Sequence, residues 1–365
     1  MIQEGELVFI YVSDIGGEVQ PKDLEGRLQE YGKAYRERVT GSSWVEEGVR
    51  IAAKDAVEVC GIKCCVEIKV FSVGGILVRI NVPVKNKGFS EALEIISRAE
   101  DGVVAVRGAS VPMADYARDL AHRIKEDIKP FITSPYASVD YEERYRLIVV
   151  KEGNRDLIGK SRKEIVGLLR KEPFERLCMD EVDEIVGNRY AYRDNFFIAD
   201  FRGAFGFVKN MEAFPVSRAV ELYLLQKLQL RVYDSLLDDM LGKSYDILAR
   251  AESKADRELG EKINEIHLLR LELLEIVSAM KVARGSPRAR IFSSLCQTLG
   301  EVFELQDLVD SVTRKLDRLG EIYTMVYDSL QNTRFIKMDR TMLMLEAIIV
   351  VLIAIEIVLV LSGKF

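Results

Sequence analysis

An apolar segment near the C-terminal end, Leu343–Leu361, constrains this chain more than any other feature. Fourteen of its nineteen residues are Leu, Ile or Val. A helix of this length covers roughly 28 Å, which is close to the hydrocarbon thickness of a bilayer. The aliphatic residues sum to about −6 kcal/mol on an insertion scale, and this exceeds the cost of the two acids in the segment. The sequence therefore predicts a transmembrane helix at 341–363, with a buried core helix as the alternative.

The residues that flank this segment predict its direction. Three basic residues precede it, Arg334, Lys337 and Arg340, and only Lys364 follows it. The positive-inside rule then places the long N-terminal body in the cytoplasm. The first six residues carry two acids and no base, unlike a secretory signal or a transit peptide. We therefore expect a tail-anchored, single-pass protein of the cell membrane with a cytoplasmic body.

Two glutamates, Glu346 and Glu356, interrupt the apolar segment. Ten helical residues turn through about 1000°, so the acids lie roughly 80° apart in projection, in a sector shared with Ile349 and Ile353. In one interpretation Glu346 reaches the near interface and Glu356 is tolerated in lipid. In the other, this face packs against a second copy, where each acid is protonated or hydrogen-bonded. The second interpretation predicts a homo-oligomer.

Residues 1–210 alternate between strand-like and helix-like patterns. The predicted strands are 7–12, 66–71, 76–82, 103–106, 145–150, 196–201 and 204–208. The predicted helices are 21–38, 89–98, 113–128 and 161–187, the last one broken near Pro173. Hairpin signals stand at Val73-Gly74-Gly75 and at Arg202-Gly203. Hairpins mixed with helices indicate an α+β or mixed α/β domain and argue against a purely parallel sheet.

Residues 211–340 are predicted to form a helical domain. The expected helices are 215–241, ended at Gly242, then 254–283 and 288–335. The last two would form an antiparallel hairpin across the turn at Gly285-Ser286-Pro287. Apolar residues recur at a three-four spacing along both long helices. These seams either pack within the chain or form an exposed coiled-coil face for a partner.

Three arginines cluster at the predicted turn of the helical hairpin, Arg284, Arg288 and Arg290. The ordinary interpretation is a solvated turn. The functional interpretation is that these arginines contact RNA or anionic lipid. The net charge of −6 argues weakly against general nucleic-acid binding, but it leaves room for such a local patch.

The sequence predicts no catalytic, cofactor or metal site. Cys60, Cys64 and Cys65 form a cluster, but a structural metal site needs four converging ligands and no second cysteine pair exists. We expect these cysteines to be small buried thiols, kept reduced in a chain with five cysteines and no secretory start. The glycines at 203 and 206 lack the lysine and the following helix of a phosphate loop.

The end of the chain, from Leu345 to Ile357, resembles the C-terminal signature of the "required for meiotic nuclear division" family, also called the RMD or YagE-like family. Ala347 stands where that signature has an aromatic residue. Partial resemblances to a helix and a hairpin of the same family lie at Ser217, Ala219, Phe71 and Gly74. The resemblance implies a membrane-anchored, non-enzymatic protein, and one branch of that family is tied to organellar translation.

Taken together, the sequence predicts a tail-anchored, non-enzymatic scaffold whose cytoplasmic body binds a macromolecular partner. One alternative is a membrane tether for a ribosome or RNA, which a basic surface around Arg284–Arg290 would favour. Another is a membrane-localised enzyme, which a deep pocket with converging polar groups in residues 1–210 would favour.

Overall fold

The computed structural model defines an α+β protein with one large sheet. It describes residues 1–37, 48–53, 57–106, 108–133, 135–136, 141–152, 157–187, 189–192, 195–208, 214–250, 271, 274 and 290–361. It describes the backbone alone for residues 35–37, 103, 157–158, 192, 214–215, 245–250, 290–293, 326–327, 329–337, 354 and 356–361. The chain divides into two compact units, the first made of residues 1–235 and 273–312 and the second of residues 236–272 and 313–365.

Twelve of the described strands form the large sheet of the first unit. They are β1 (Ile2–Asp14), β3 (Gly32–Glu37), β4 (Gly48–Ala53), β5 (Val57–Val59), β6 (Ile62–Phe71), β7 (Gly75–Lys87), β8 (Val103–Val106), β9 (Ala109–Pro112), β11 (Glu142–Glu152), β12 (Arg189–Tyr192), β13 (Asn195–Asp200) and β14 (Gly203–Phe207). Two further short strands, β2 (Glu18–Val19) and β10 (Ile132–Thr133), pair with each other.

The strand β1 lies at the centre of this sheet, between β7 and β11. Both pairings are antiparallel, and Phe9 stands opposite Ile80 on one side and Arg146 on the other. The strand order is β12-β13-β14-β11-β1-β7-β6-β5-β8-β9, with β4 also pairing β6, and β3 pairing β4. β11 pairs β14 in parallel. The continuous apolar run of β1 is typical of a strand that is covered on both faces.

Four helices cover one face of the sheet. They are α2 (Phe89–Asp101), α3 (Met113–Ile128), α5 (Arg162–Arg170) and α6 (Met179–Gly187). Their apolar residues share one core with Leu7, Phe9 and Tyr11 of β1. The described residues also contain two single-turn helices, α1 (Pro21–Leu24) and α4 (Leu157–Lys160), and three 3₁₀ turns, at Arg27–Glu30, Lys129–Phe131 and Phe174–Arg176.

The other face is covered by the first part of α7 (Phe214–Arg250), with α8 (Arg290–Val302) and the residues that follow it. A Cβ at Gly75 would meet Leu225 of α7, and the Gln229 side chain donates to the Val73 carbonyl at 3.1 Å. The ring of Tyr145, on β11, packs edge-on against Phe303 at 5.1 Å between centroids. This face therefore has a separate apolar layer.

Several predicted elements are confirmed. The hairpin at Val73-Gly74-Gly75 joins β6 to β7, and the last strand pair is β13 and β14. The helix predicted at 113–128 is α3, and the break near Pro173 separates α5 from α6. The helix predicted at 21–38 is wrong beyond its first turns, because Gly32–Glu37 pairs with β4 as a strand.

Two predicted ends of helices are also wrong. Gly242 does not end α7, which continues to Arg250, since a glycine in an exposed helix costs only about 1 kcal/mol. The helix predicted at 288–335 is interrupted at Glu304, which has a left-handed φ of 52°. Beyond it, α9 runs without a break from Leu305 to Leu361. Apart from Leu271 and Leu274, the helix predicted at 254–283 and the turn of the hairpin lie outside the described residues.

The second unit contains the C-terminal part of α7 and most of α9. Lys315 pairs with Asp238 at 2.7 Å, so α7 and α9 contact each other here. Leu316, Leu319 and Tyr323 of α9 are buried. Leu319 belongs to the seam predicted along this helix and is used for packing, whereas Leu316 and Tyr323 are not part of that seam.

Candidate functional site

The predicted site residues near the C-terminal end lie on the last part of α9. Glu346, Ile349 and Ile353 are exposed, and the two isoleucines expose 46% and 50% of their surface. Glu356 belongs to the same helix, but its side chain lies outside what the structure describes. The described part of the sector thus faces outward from the protein.

This part of α9 carries a long run of exposed apolar side chains. At least 46% of the surface is exposed for each of Met342, Leu343, Met344, Leu345, Ile348, Ile349, Val350, Val351, Leu352, Ile353 and Ile355. Consecutive residues are exposed alike, so the apolar surface surrounds the helix. Among the described residues, the structure has no helix with the length and hydropathy needed to cross a membrane. The predicted transmembrane helix is therefore not supported by the part of the chain that is described.

The predicted basic cluster cannot be placed in the same way. Arg284 and Arg288 lie outside the described residues, and Arg290 begins α8 with an undescribed side chain.

A second candidate site, which the sequence did not predict, is a cavity of about 350 Å³ in the first unit. It lies beside the paired segments of β1 and β11, next to the C-terminal ends of α2 and α5 and the turn between β13 and β14. Five basic residues line it. We call it the arginine pocket and define it by Arg144, Arg146, Arg170, Lys171 and Arg202.

Arg146 is the most buried of these side chains, with 5% of its surface exposed. Its guanidinium binds the Glu100 carboxylate through two nitrogens, at 2.7 and 3.2 Å. The third nitrogen donates to the carbonyls of Leu168 and Leu169, in the last turn of α5, at 2.7 and 3.1 Å. A cation at a helix C-terminus is favoured by the helix dipole. Arg146 is therefore fixed in place by acceptors on two helices.

Arg170 and Lys171 follow at the end of α5. Arg170 contacts Asp200 at 3.1 Å and also pairs with Glu181 of α6. Lys171 caps the helix in a left-handed conformation, with φ 60° and ψ 45°. Its ammonium group lies 2.5 Å from Asp101 and 3.5 Å from Glu100. The helix end thus presents two adjacent cations to the pocket.

The remaining two arginines have fewer partners. Arg144 binds the Glu142 carboxylate through two nitrogens, at 2.9 and 3.3 Å, and Glu142 is also bound by Arg118 at 3.2 Å. Arg202 lies over the ring of Phe201, 5.0 Å from its centroid, and within the described ranges it has no carboxylate at ion-pair distance. Phe201 itself is 52% exposed at the rim of the pocket.

Two buried tyrosines remain protonated in any ordinary buffer: Tyr11 on the pocket side of the sheet, and Tyr145 on β11, whose ring packs on the opposite face. Burial, assisted by the nearby Glu100, raises the pKa of Tyr11 above its usual range. Burial, assisted by Asp200, likewise raises the pKa of Tyr145, whose hydroxyl donates to the Asp200 carbonyl at 2.9 Å. The Tyr11 hydroxyl makes no hydrogen bond with the described part of the chain. It is a neutral donor inside a cationic pocket.

The cysteine cluster does not form a site. Cys60 and Cys65 are exposed and Cys64 is half-buried, so the prediction of small buried thiols is wrong. Burial raises the pKa of Cys64 to about 11. No group of three His, Cys, Asp or Glu side chains in the described ranges is placed to hold a metal ion.

The fold and the pocket define an α+β protein with a mixed, helix-covered sheet and a cationic cavity beside its central strands. The chain belongs to the family described as "Uncharacterized protein MJ0711, N-terminal domain", whose model matches residues 4–207. It is also 24% identical to uncharacterized protein MJ0711 of Methanocaldococcus jannaschii over 229 residues, which cover 62% of this chain and 68% of that protein. The matched family region contains all five basic residues of the arginine pocket.

Proposed function

We propose that this protein is a non-enzymatic scaffold that attaches to a membrane through the end of α9 and binds a macromolecular partner. The observation that supports it is the exposed apolar run between Met342 and Ile355. Exposed apolar patches of this extent mark contact with a membrane or a protein. Covering these eleven half-exposed side chains would contribute on the order of 10 kcal/mol.

The exposed apolar run of α9 is better suited to contact with lipid than with a protein groove. Leu343, Met344 and Leu345 are consecutive, so they point to different sides of the helix, and all are exposed. A helix that is apolar on every side suits lipid, whereas a protein groove covers only one side. The resemblance of this end to the RMD family supports the same proposal. We confine the proposal to attachment, with the cytoplasmic orientation predicted from the flanking basic residues.

The proposal includes self-association through the sector of Glu346, Ile349 and Ile353. An acid in lipid is costly unless a partner helix satisfies it, and a second copy is the simplest partner. A photocrosslinking amino acid at Ile353 should therefore give a dimer in membranes. The same probe at Val351, which lies about 160° around the helix from Ile353, serves as the control. Equal crosslinking at both positions would contradict a defined interface.

Membrane attachment is tested by fractionation of cells that express the full chain. We expect the protein in the membrane pellet after a carbonate wash. The double substitution Ile349→Arg and Ile353→Arg should move it toward the soluble fraction, since a charged side chain is costly to transfer into apolar surroundings. Leu271→Arg with Leu274→Arg is the matched control, because these leucines are at least as exposed as the two isoleucines, at 59% and 63%. A wild-type protein that stays soluble and monomeric would refute the proposal.

The alternative of a membrane-localised enzyme receives one supporting observation, the arginine pocket. Its lining carboxylates, Glu100 and Asp101, are both paired with cations. A carboxylate whose oxygens are engaged in ion pairs is poorly placed to accept a proton from a substrate. This arrangement favours binding over acid–base chemistry, so we keep the scaffold as the proposed function. Affinity purification from membranes in mild detergent would identify the macromolecular partner.

A further inference from the structure

We propose that the arginine pocket is a binding site for the phosphate group of a small ligand. This proposal does not depend on membrane attachment, since the pocket lies in the first unit and within the matched family region. Its volume of about 350 Å³ is at the lower end of the range for small-molecule sites.

The charge of the lining is the first argument. Five basic side chains and two carboxylates, Glu100 and Asp101, line the cavity, and the other acids that pair with these cations, Glu142, Glu181 and Asp200, stand outside the lining. Cations gathered in one cavity attract anions and raise their local concentration. The field of the pocket therefore favours an anionic ligand.

The second argument is which donors are available. Arg146 and Arg170 are held by carboxylates and carbonyls of the protein, so they supply charge and position. Arg202 has no carboxylate at ion-pair distance in the described ranges. Arg144 binds Glu142 through Nε and Nη2, and its Nη1 group makes no hydrogen bond with the described residues. These two guanidiniums, together with the Tyr11 hydroxyl, form a set of donors that protein acceptors do not saturate.

The third argument is the match between these donors and phosphate. A guanidinium binds a phosphate through two parallel hydrogen bonds, and a phosphate group offers three acceptor oxygens. The neutral Tyr11 hydroxyl can donate to a third oxygen without adding charge. Phe201, exposed at the rim, offers an apolar surface to the rest of the ligand. Either a soluble phosphate ester or a phospholipid headgroup would supply this chemistry.

The proposal is tested by calorimetric titration of the purified full chain with inorganic phosphate, pyrophosphate and dihexanoyl phosphatidic acid, at constant ionic strength. We expect at least one probe to bind with a single site. Arg202→Gln and Arg144→Gln should each weaken that binding by about tenfold, because each removes a hydrogen bond to a charged group. Arg98→Gln, an exposed arginine outside the pocket, is the control and should change nothing.

The two sources of phosphate give different results. Tighter binding of dihexanoyl phosphatidic acid than of pyrophosphate would identify a lipid headgroup, and the reverse order a soluble ester. Circular dichroism of each variant verifies that the fold is retained. The proposal is overturned if no probe binds, or if binding is unchanged in both pocket variants.

Discussion

The Glu221 carboxylate on α7 lies 3.1 Å from an Arg50 nitrogen on β4, and both side chains are buried. The same carboxylate accepts from Arg79 of β7 at 3.2 Å, so one acid joins the helix to two strands. Glu67, 3.0 Å from Arg50, adds a second negative charge. This ion cluster fixes α7 on its face of the sheet.

Removal of this acid should therefore destabilise the fold strongly. Glu221→Ala removes the carboxylate that Arg50 and Arg79 share and leaves Glu67 as their remaining acid, so we expect the free energy of unfolding to fall by about 3 kcal/mol. Glu94→Ala, which breaks an exposed pair with Arg98, should change it by less than about 0.5 kcal/mol. Urea denaturation followed by circular dichroism measures both. Similar losses in the two variants would contradict a structural role for the cluster.

A tyrosine–aspartate pair predicts a specific dependence on pH. The Tyr31 hydroxyl donates to Asp127, and this hydrogen bond lowers the pKa of that carboxyl below its usual value of 3.8. The hydrogen bond stabilises the fold fully when the pH is above 3.8, the usual pKa of the carboxyl. This stabilisation is lost as the pH falls through the lower pKa that Asp127 has in the folded protein. Tyr31→Phe should cost about 1 kcal/mol at neutral pH.

The difference between Tyr31→Phe and the wild type should shrink as the pH is lowered below about 3.8. Unfolding free energies measured at a series of pH values give this difference directly. A difference that stays constant into strong acid would show that the hydrogen bond does not depend on the ionised carboxylate.

The cysteine cluster should react unevenly with alkylating reagents. Burial raises the pKa of Cys64 to about 11, so at pH 8 only about one molecule in a thousand carries its thiolate. Cys60 is exposed and serves as the control within the same chain. Treatment with iodoacetamide and peptide mass spectrometry should show Cys60 modified well before Cys64. Equal rates would contradict the described burial.

The turn between β6 and β7 should not tolerate a side chain. Gly74 has φ +95°, and a Cβ there would lie 2.4 Å from the Gly17 carbonyl oxygen. Gly61 is also left-handed, with φ +74°, but it has open space around it. Gly61→Ala should cost about 1 kcal/mol of stability from backbone strain alone, and Gly74→Ala clearly more. Equal melting temperatures for the two variants would refute the close contact.

The strands and helices of the sheet domain could largely be predicted, because their patterns are local. The alternation in β6 and the apolar stripe of α3 are set by neighbours along the chain. The strand at Gly32–Glu37 was missed because it depends on its partner β4, more than ten residues away in sequence. Strand propensity is weaker than such tertiary pairing.

The arginine pocket could not be found from the sequence, for a different reason. Its cations come from a strand, a helix end and a hairpin turn, which are brought together only by folding. In the sequence, Arg144 and Arg146 look like ordinary polar positions of β11. A weak signal existed in the pair Arg170-Lys171, which stands at a helix end with no glycine after it to cap the helix.

That missing glycine has an evolutionary consequence. Lys171 holds a left-handed conformation at the end of α5, where glycine would avoid a strain of about 1 kcal/mol. Selection for stability alone would favour glycine at this position. A lysine that is kept here in relatives would mean that its ammonium group contributes more to function than the backbone strain costs in stability. Among relatives, a lysine or arginine at this position should therefore accompany an intact set of pocket arginines, and glycine should return where that set is lost.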